Sequence, residues 1–269
     1  MQINSNTVAV VTGAASGIGR ALAQHLATKG AALALADVNE AGLEETRASL
    51  SGVKTSLHIV NVADANRIST FAQEVLEQHG RANLLFNNAG VALGGRFSEV
   101  TLEDMQWLFN INFWGVVHGC QAFMPILKKE PVAHIVNTSS VFGIFAPPGQ
   151  TAYSAAKFAV RGFSESLRHE LEGSSIKLSV VHPGGIKTNI ARSARIGANV
   201  DARADRLERE LNNLEKSFIT TPETAAERIV RGVERNEPRI LVGSDAVQVD
   251  WIQRFFPSTY WGVLKKVLR

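Results

Sequence analysis

Near the N-terminus the chain reads Val8-Ala9-Val10-Val11-Thr12-Gly13-Ala14-Ala15-Ser16-Gly17-Ile18-Gly19. Residues 8–11 are apolar and largely β-branched, which is typical of a buried parallel strand. Residues 20–27 carry apolar side chains at helical spacing, and Gly30 is the expected C-cap. A strand, a tight glycine turn and a helix gather backbone N–H groups at one point, where a pyrophosphate can bind. The alternative is an ordinary glycine-rich turn between a strand and a helix.

The next apolar stretch, residues 31–36, predicts a second strand that ends at Asp37. A carboxylate at this place can accept hydrogen bonds from both hydroxyls of an adenosine ribose, and it repels a 2′-phosphate. Val38 and Asn39 follow, and Ser16 lies in the glycine turn, so this part of the sequence offers no basic residue to that phosphate. The pattern favours NAD over NADP. Asp37 is equally suited to begin a turn, and the two roles are compatible.

A second cluster of chemically active residues lies in the middle of the chain. Tyr153 and Lys157 are four positions apart and therefore share one face of a predicted helix. Since a nearby positive charge favours the phenolate, we expect Lys157 to lower the pKa of Tyr153 until it can act as an acid or base. Ser140 precedes Tyr153 by thirteen positions and can donate a hydrogen bond to a developing oxyanion.

Three further motifs stand along the chain, two before Ser140 and one after Lys157. They are Asn87-Asn88-Ala89-Gly90, Asn112-Phe113-Trp114-Gly115 and Pro183-Gly184-Gly185-Ile186-Lys187-Thr188. With them, the chain resembles the short-chain dehydrogenase/reductase family over roughly residues 5–245. The resemblance implies a catalytic tetrad of Asn112, Ser140, Tyr153 and Lys157. It also implies that Lys157 holds the nicotinamide ribose and that Asn112 holds a water that links the lysine to solvent. The alternative for Asn112 is a buried helix asparagine without a catalytic role.

The same resemblance assigns a set of cofactor-binding residues along the chain. They are Gly13, Ser16, Gly17, Ile18, Gly19, Asp37, Asn61, Val62, Asn88, Ala89, Gly90, Tyr153, Lys157, Pro183, Gly184, Ile186 and Thr188. Asn61 stands where the family usually has Asp, so it keeps a hydrogen-bonding group for the adenine but loses the charge. Thr188 is expected to bond the carboxamide or pyrophosphate, and Ile186 to offer backbone groups to the carboxamide.

Strand-like and helical segments alternate along the whole chain. Helices are predicted over residues 41–50, 65–78, 102–128, 153–171 and 222–236, and strands over 56–60, 84–87, 134–138, 177–182 and 239–242. This alternation predicts an α/β fold, a single-domain Rossmann-type doubly wound parallel sheet with helices on both faces. Residues 1–249 would form the dinucleotide-binding catalytic domain, with a lid at about 189–220, and residues 250–269 a basic aromatic C-terminal extension.

Composition limits the other possibilities. The 269 residues are 45% hydrophobic, which suits one domain with a large core. The single cysteine, Cys120, excludes an internal disulfide, and with no N-terminal signal peptide in view we expect a cytoplasmic protein. Residues 105–127 are uncharged but carry too many polar groups for a membrane span. The histidines lack metal-ligand spacing, so no metal site is expected.

The expected substrate pocket is apolar. Residues 91–93, residues 141–146 and Ile190 should form its rim, and they include aromatic side chains but no charged anchor. This favours a small hydrophobic alcohol or ketone, although several of these residues could instead belong to the core. Leu207, Leu211, Leu214 and Phe218 recur at helical spacing, which predicts an amphipathic helix in the lid. The alternative is a surface helix packed permanently on the body.

The C-terminal extension has a distinct composition. The charges of Asp250, Arg254, Lys265, Lys266 and Arg269 sum to +3, the whole net charge of the chain, so the body is balanced and no nucleic-acid partner is indicated. Aromatic residues interleaved with these charges suit a membrane surface or a partner groove. We favour the alternative, in which the extension packs over the substrate mouth or across a subunit interface. The family resemblance implies a homodimer or homotetramer.

Together these features predict an NAD-dependent oxidoreductase that interconverts a hydrophobic secondary alcohol and its ketone, with Tyr153 as general acid/base. Within enzymes, the alternative is an NADPH-dependent carbonyl or ketoacyl reductase, against which Asp37 argues. Alternatives of other kinds are a non-catalytic dinucleotide sensor on the same fold and a membrane-associated lipid or retinoid-type oxidoreductase anchored by the extension.

Overall fold

The computed structural model describes residues 1–200 and 218–267. Its strands are β1 (Val8–Thr12), β2 (Ala32–Asp37), β3 (Thr55–Ile59), β4 (Leu84–Asn87), β5 (Leu93–Gly94), β6 (Ala133–Thr138), β7 (Ile176–Pro183), β8 (Arg195–Ile196) and β9 (Arg239–Val242). Its helices are α1 (Gly17–Thr28), α2 (Glu40–Ala48), α3 (Ala65–His79), α4 (Leu102–Phe109), α5 (Gly115–Leu127), α6 (Thr151–Glu170), α7 (Pro222–Glu234), α8 (Ser244–Phe255) and α9 (Tyr260–Val267).

Seven strands form one parallel sheet in the order β3-β2-β1-β4-β6-β7-β9. The chain builds outward from β1 to β3, then returns to start β4 on the other side of β1. Because the direction reverses between β1 and β4, the carboxyl ends of these two strands border a crevice, the usual ligand position in such sheets. The predicted fold class is confirmed.

Helices cover both faces of the sheet. On one face Ala9 and Val11 of β1 pack with Leu22 of α1 and Ile229 of α7. On the other face Val8 and Val10 pack with residues of α3, α5 and α6, among them Ile68, Phe71, Phe123 and Val160. Both faces of β1 are apolar because each is covered, as the unbroken apolar run predicts. Each large side chain buried in this way contributes ~1.5–3 kcal/mol.

The predicted helix over residues 102–128 is divided. A single π-type turn, Asn110–Trp114, joins α4 to α5 and contains Asn112. Such turns insert an extra residue into an α-helix and re-aim one side chain, and they are frequent at functional sites. A helical period in the sequence does not reveal one, because the apolar pattern continues through it.

Two other features were not predicted. Strands β5 and β8 pair in parallel as a separate small sheet, which ties residues 93–94 to residues 195–196. The guanidinium of Arg195 also lies 3.8 Å from the centre of the Trp107 ring. The first part of the predicted lid is therefore fixed to the loop after β4 and to α4. Leu207, Leu211 and Leu214 of the predicted lid helix lie outside the described residues.

The C-terminal extension forms α9 and part of α8, and it packs on the turn after β6. Leu264 is buried in one cluster with Val141, Phe145 and Ala246, and the Tyr260 hydroxyl accepts a hydrogen bond from the Ala146 amide at 3.3 Å. Exposed aromatic side chains remain on its outer side, at Trp251, Phe255 and Phe256. Within residues 1–200 and 218–267, no helix is both long and apolar enough to span a membrane.

Candidate active site

The glycine turn lies at the carboxyl end of β1, as predicted. Gly13 and Gly17 have φ angles of +68° and +52°, a region that favours glycine. A Cβ on Gly19 would lie 2.0 Å from the carbonyl oxygen of Gly13, so the third glycine is required for helix α1 to approach the strand. The turn therefore needs all three glycines for its shape.

The N-terminus of α1 suits an anion. Its N-cap residue Ser16 makes no side-chain capping bond, and its first turn contains no acidic residue, so the first amides of the helix keep hydrogen-bonding capacity. A cleft of about 160 Å³ lies in front of it, lined by Gly17, Arg20, Lys187 and Thr188 among others. The residues present fit the pyrophosphate of a dinucleotide.

Asp37 lies at the end of β2 and faces this turn. Its Oδ2 accepts a hydrogen bond from the Ala15 amide and its Oδ1 one from the Asn39 amide, both at 3.0 Å. The carboxylate thus holds the glycine turn against the start of α2, the structural role that the sequence left open beside ribose binding. Asp37 is half-buried.

Arg20 is a residue that the sequence analysis missed. Its guanidinium donates to the Ala15 carbonyl at 2.6 Å and to the Glu45 carboxylate at 2.8 Å, and its Nε donates to the Thr46 hydroxyl at 3.0 Å. The positive charge next to the turn is therefore engaged with acceptors on α2 and on the turn itself. A basic residue directly after the last glycine of the turn, Gly19, was the available signal.

The second wall of the crevice is the segment after β4. The Thr12 hydroxyl accepts hydrogen bonds from the amides of Asn88 and Ala89 at 3.0 and 3.1 Å. A Cβ on Gly13 would lie 2.8 Å from the Cα of Ala89, so the two segments touch. Asn88 and Ala89 are thereby placed beside the glycine turn, where the prediction puts them.

Asn61 and Val62 follow β3 at the same end of the sheet. The Asn61 side chain accepts a hydrogen bond from the Ala63 amide at 3.1 Å, which shapes the turn. Val62 is buried, and its Cγ2 would lie 2.7 Å from a Cβ on Gly115. Both residues therefore have a structural role in addition to the predicted place beside the adenine.

Two of the four predicted tetrad residues, Asn112 and Lys157, lie beside Gly90. Asn112 is fully buried in the π-type turn, and its amide exchanges two hydrogen bonds with the Val91 backbone, at 2.8 and 2.9 Å. A Cβ on Gly90 would lie 3.2 Å from Asn112 Oδ1 and 3.5 Å from Lys157 Nζ. Asn112 and Lys157 therefore border the same small space.

Ser140 and Tyr153 lie on the other side of Lys157. The Ser140 hydroxyl caps the 3₁₀ turn after β6 by accepting a hydrogen bond from the Phe142 amide at 3.1 Å. Ser140 lies close enough to the Tyr153 phenol to lower its pKa. The neighbouring Ser139 is buried and donates to the Lys157 carbonyl at 2.8 Å. Of the two adjacent serines, Ser140 is thus the one that acts on the phenol.

Burial moves the pKa of Tyr153 in the direction opposite to the one expected from Lys157. Burial raises the pKa of Tyr153 to about 12, and Ser140 opposes this only in part. Burial also lowers the pKa of Lys157 to about 8. The lysine Nζ donates to the Thr138 carbonyl at 3.0 Å, and it lies 5.7 Å from the centre of the tyrosine ring. Burial, rather than the charge of Lys157, is therefore the main influence on the Tyr153 pKa.

The predicted segment 183–188 closes the crevice from the third side. The amide of Gly184 donates to the Val242 carbonyl at 2.9 Å, and that of Gly185 donates to the Asp245 carboxylate at 2.6 Å. A Cβ on Gly184 would lie 2.2 Å from Asp245 Oδ2, so a larger residue here would displace the Asp245 carboxylate. Thr188 reaches the N-terminus of α1, since its Cγ2 would lie 3.1 Å from a Cβ on Gly17.

The residues predicted to form the rim of the substrate pocket differ in their exposure. Ile144 and Leu93 are 1% and 3% exposed and belong to the interior, which bears out the alternative that some of these residues are core. Phe142 is half-buried, and its ring centre lies 6.0 Å from that of Tyr153. Ile190 is exposed. The described residues hold no cluster of three or more His, Cys, Asp or Glu side chains arranged for a metal ion.

A doubly wound sheet with a glycine turn at its switch point and a Ser–Tyr–Lys group beside it defines a dinucleotide-dependent oxidoreductase. Comparison with known proteins agrees: residues 7–199 match the model of the family described as short chain dehydrogenase. The chain belongs to the short-chain dehydrogenase/reductase family, whose members use NAD or NADP. The resemblance found in the sequence is confirmed.

Individual relatives cover most of the chain. SadH of Mycobacterium tuberculosis, described as an oxidoreductase, is 42% identical over 94% of this chain and 92% of its own length. A short-chain dehydrogenase/reductase from Burkholderia phymatum, solved in complex with NAD, superposes with a TM-score of 0.88 at 32% identity, covering 94% of this chain and 95% of that one. The Thermotoga maritima 3-oxoacyl-acyl-carrier-protein reductase FabG is 35% identical over 67% of this chain and 74% of its own length.

Proposed function

We propose that this protein is an NAD-dependent oxidoreductase that interconverts a hydrophobic secondary alcohol and its ketone. The observation that carries the proposal is the arrangement of Ser140, Tyr153 and Lys157 beside the crevice between β1 and β4. A non-catalytic dinucleotide sensor has no use for a phenol paired with a hydroxyl and an ammonium. We infer that residues 1–249 form the catalytic domain.

Tyr153 moves the proton in this proposal. In the reduction direction its Oη gives a proton to the carbonyl oxygen, and in the oxidation direction the phenolate takes the proton of the alcohol. Ser140 donates a hydrogen bond to the same substrate oxygen and stabilises its developing charge. Lys157 supplies a positive charge close to this oxygen, and Asn112, fixed by two hydrogen bonds to Val91, lines the space next to the lysine.

NAD, when bound, supplies the hydride acceptor of the oxidation and, in its reduced form, the hydride donor of the reduction. The glycine turn, Ser16 and the N-terminus of α1 would hold its pyrophosphate, because these amides suit an anion. The segments 61–62, 88–90 and 183–188 would hold the adenine, the ribose and the carboxamide.

We infer a preference for NAD over NADP from charge. Asp37 places a carboxylate beside the turn, where it repels a 2′-phosphate. Arg20, the nearby cation, already donates to Glu45 and to the Ala15 carbonyl. A 2′-phosphate would have to displace these partners. The competing assignment, an NADPH-dependent ketoacyl reductase, draws on the likeness to FabG, and Asp37 argues against it.

The substrate class is inferred from the pocket wall. Phe142 faces Tyr153, and the other accessible apolar rim residues are Val91, Ala92, Ala146 and Ile190. A wall of this kind desolvates an apolar substrate and offers no partner to a charged one. We also infer a cytoplasmic homodimer or homotetramer, the cytoplasm because the lone Cys120 is a buried free thiol.

The test is a panel of apolar secondary alcohols and ketones assayed with NAD and NADP in parallel. We expect NAD-linked turnover that Tyr153→Phe reduces by at least ~10²-fold while binding of NAD is unchanged. Phe158→Ala, an exposed position on the same helix, serves as the matched control and should keep its activity. Tight NAD binding without turnover across the panel would contradict the proposal, and a preference for NADP would contradict the role of Asp37.

A further inference from the structure

A fully buried histidine lies directly behind Ser140. His182 is the residue of β7 before Pro183, and its side chain is inaccessible to solvent. Its Nδ1 lies 2.9 Å from the carbonyl oxygen of Ser140. Because a carbonyl only accepts, Nδ1 must carry the proton and donate it. The neutral ring then has an unprotonated Nε2.

Apart from the bond of Nδ1 to Ser140, few polar contacts orient the His182 side chain. Nε2 is buried and has no hydrogen-bond partner among the described residues. Burial lowers the pKa of His182 to about 4, and the nearest charged groups are Arg239 on β9 and Arg161 and Glu165 on α6. The histidine is thus neutral at ordinary pH, and its bond to Ser140 is the polar contact that orients it.

Stability alone does not explain a histidine at this position. A buried nitrogen without a partner costs free energy that an apolar side chain would not. The Ser140 carbonyl also accepts a hydrogen bond from the Gly143 amide at 2.9 Å. It would therefore remain satisfied if the imidazole were replaced. The histidine makes a bond that folding does not need, at a residue whose position the proposed chemistry does need.

We propose that His182 is a positioning residue that fixes the backbone of Ser140 from behind. The inference rests on the proposed function, since it concerns the serine that contacts the reacting oxygen. Ser140 lies between β6 and the 3₁₀ turn Val141–Gly143. Its hydroxyl is held by the Phe142 amide on the solvent side, and the imidazole holds its carbonyl on the sheet side. Together the two bonds fix both ends of the residue.

Two variants separate positioning from packing. His182→Leu keeps an apolar side chain of similar size but removes the donor, and His182→Asn restores an N–H where Nδ1 lies. We expect kcat for ketone reduction to fall ~10- to 100-fold in the leucine variant, as for a displaced catalytic group, with the Kd for NAD unchanged. The asparagine variant should recover to within ~5-fold of wild type. The unfolding midpoint of the leucine variant should not fall.

An NMR measurement tests the bond between His182 and the Ser140 carbonyl without any substrate. In the ¹⁵N-labelled full chain, long-range ¹H–¹⁵N spectra report which ring nitrogen of His182 is protonated, with His182→Leu providing the assignment. We expect Nδ1–H and bare Nε2 throughout pH 6–9, and a Ser140 carbonyl ¹³C shift that changes in the leucine variant and returns in the asparagine variant. An Nε2–H ring, an unchanged Ser140 shift or wild-type kcat in the leucine variant would overturn the proposal. Absence of turnover in the wild type with the expected spectra would overturn the proposed function alone.

Discussion

Replacing Lys157 with methionine should make the protein more stable while it removes activity. The lysine is 3% exposed, and burial lowers its pKa from the ordinary 10.5 to about 8. At ~1.36 kcal/mol per pKa unit, holding the ammonium in this place costs the folded state ~3 kcal/mol. Methionine fills a similar volume without the charge, and it forfeits the hydrogen bond to the Thr138 carbonyl, worth ~1.5 kcal/mol. The net gain at pH 7 is ~1.5 kcal/mol, or ~3–6 °C in Tm.

The lowered pKa of Lys157 also determines how the free energy of unfolding changes with pH. Below pH 8 the lysine is charged in the folded and the unfolded state, so the full cost is present. Between pH 8 and 10.5 the unfolded state binds more protons than the folded state, and wild-type stability therefore rises with pH in this range through this residue. The methionine variant lacks this contribution. The advantage of Lys157→Met should shrink or reverse by pH 10.

Urea unfolding at pH 7 and pH 10 measures both effects, and comparing the variant with wild type at each pH cancels the titration of all other groups. Lys129→Met, at an exposed position, is the matched control and should change stability little at either pH. The reasoning is refuted if Lys157→Met is less stable than wild type at pH 7, or if its advantage is the same at pH 10. Ketone reduction by the variant should fall by ~10²-fold or more.

Other substitutions test the remaining parts of the site. Gly19→Ala places a methyl group 2.0 Å from a carbonyl oxygen of the turn and should weaken NAD binding ~100-fold in a fluorescence titration. Gly162→Ala, whose Cβ meets nothing within 4 Å, is its control and should bind NAD as wild type does. Asp37→Ser should raise the ratio of kcat/KM with NADP to that with NAD by ~10-fold or more, and an unchanged ratio would show that this carboxylate does not select the cofactor. Asn112→Ala removes two hydrogen bonds to Val91 and should lower the free energy of unfolding by ~2–3 kcal/mol; a loss below 0.5 kcal/mol, roughly, would contradict a fixed amide at this turn.

The fold was predictable because its signals are local. The apolar run at residues 8–11 and the three glycines that follow are separated by no more than a turn, and their neighbours in the sheet repeat the same alternation. Strands β4 and β9 begin and end at the predicted residues. The π-type turn at Asn112 was hidden because an inserted residue leaves the apolar pattern of the helix nearly unchanged.

Contacts between distant segments could not be predicted. Asp245 lies 60 positions after Gly185, and nothing in either segment shows that the carboxylate receives the glycine amide. The small β5–β8 sheet joins two-residue strands, too short to carry any periodicity. His182 is similar, because its partner is a backbone carbonyl 42 positions away, and a backbone carbonyl has no sequence signature.

The Tyr153–Lys157 pair shows where reasoning from spacing ends. Helix geometry places both side chains on one face, and it does so here, but it says nothing about the medium around them. In this structure burial shifts both pKa values so that the neutral forms are favoured, that of Tyr153 to about 12 and that of Lys157 to about 8. A protonated phenol is the form that gives a proton to a ketone, whereas alcohol oxidation needs the phenolate. The residues of this site therefore favour proton donation at neutral pH, and a charge brought in beside the phenol is what would make the reverse direction accessible.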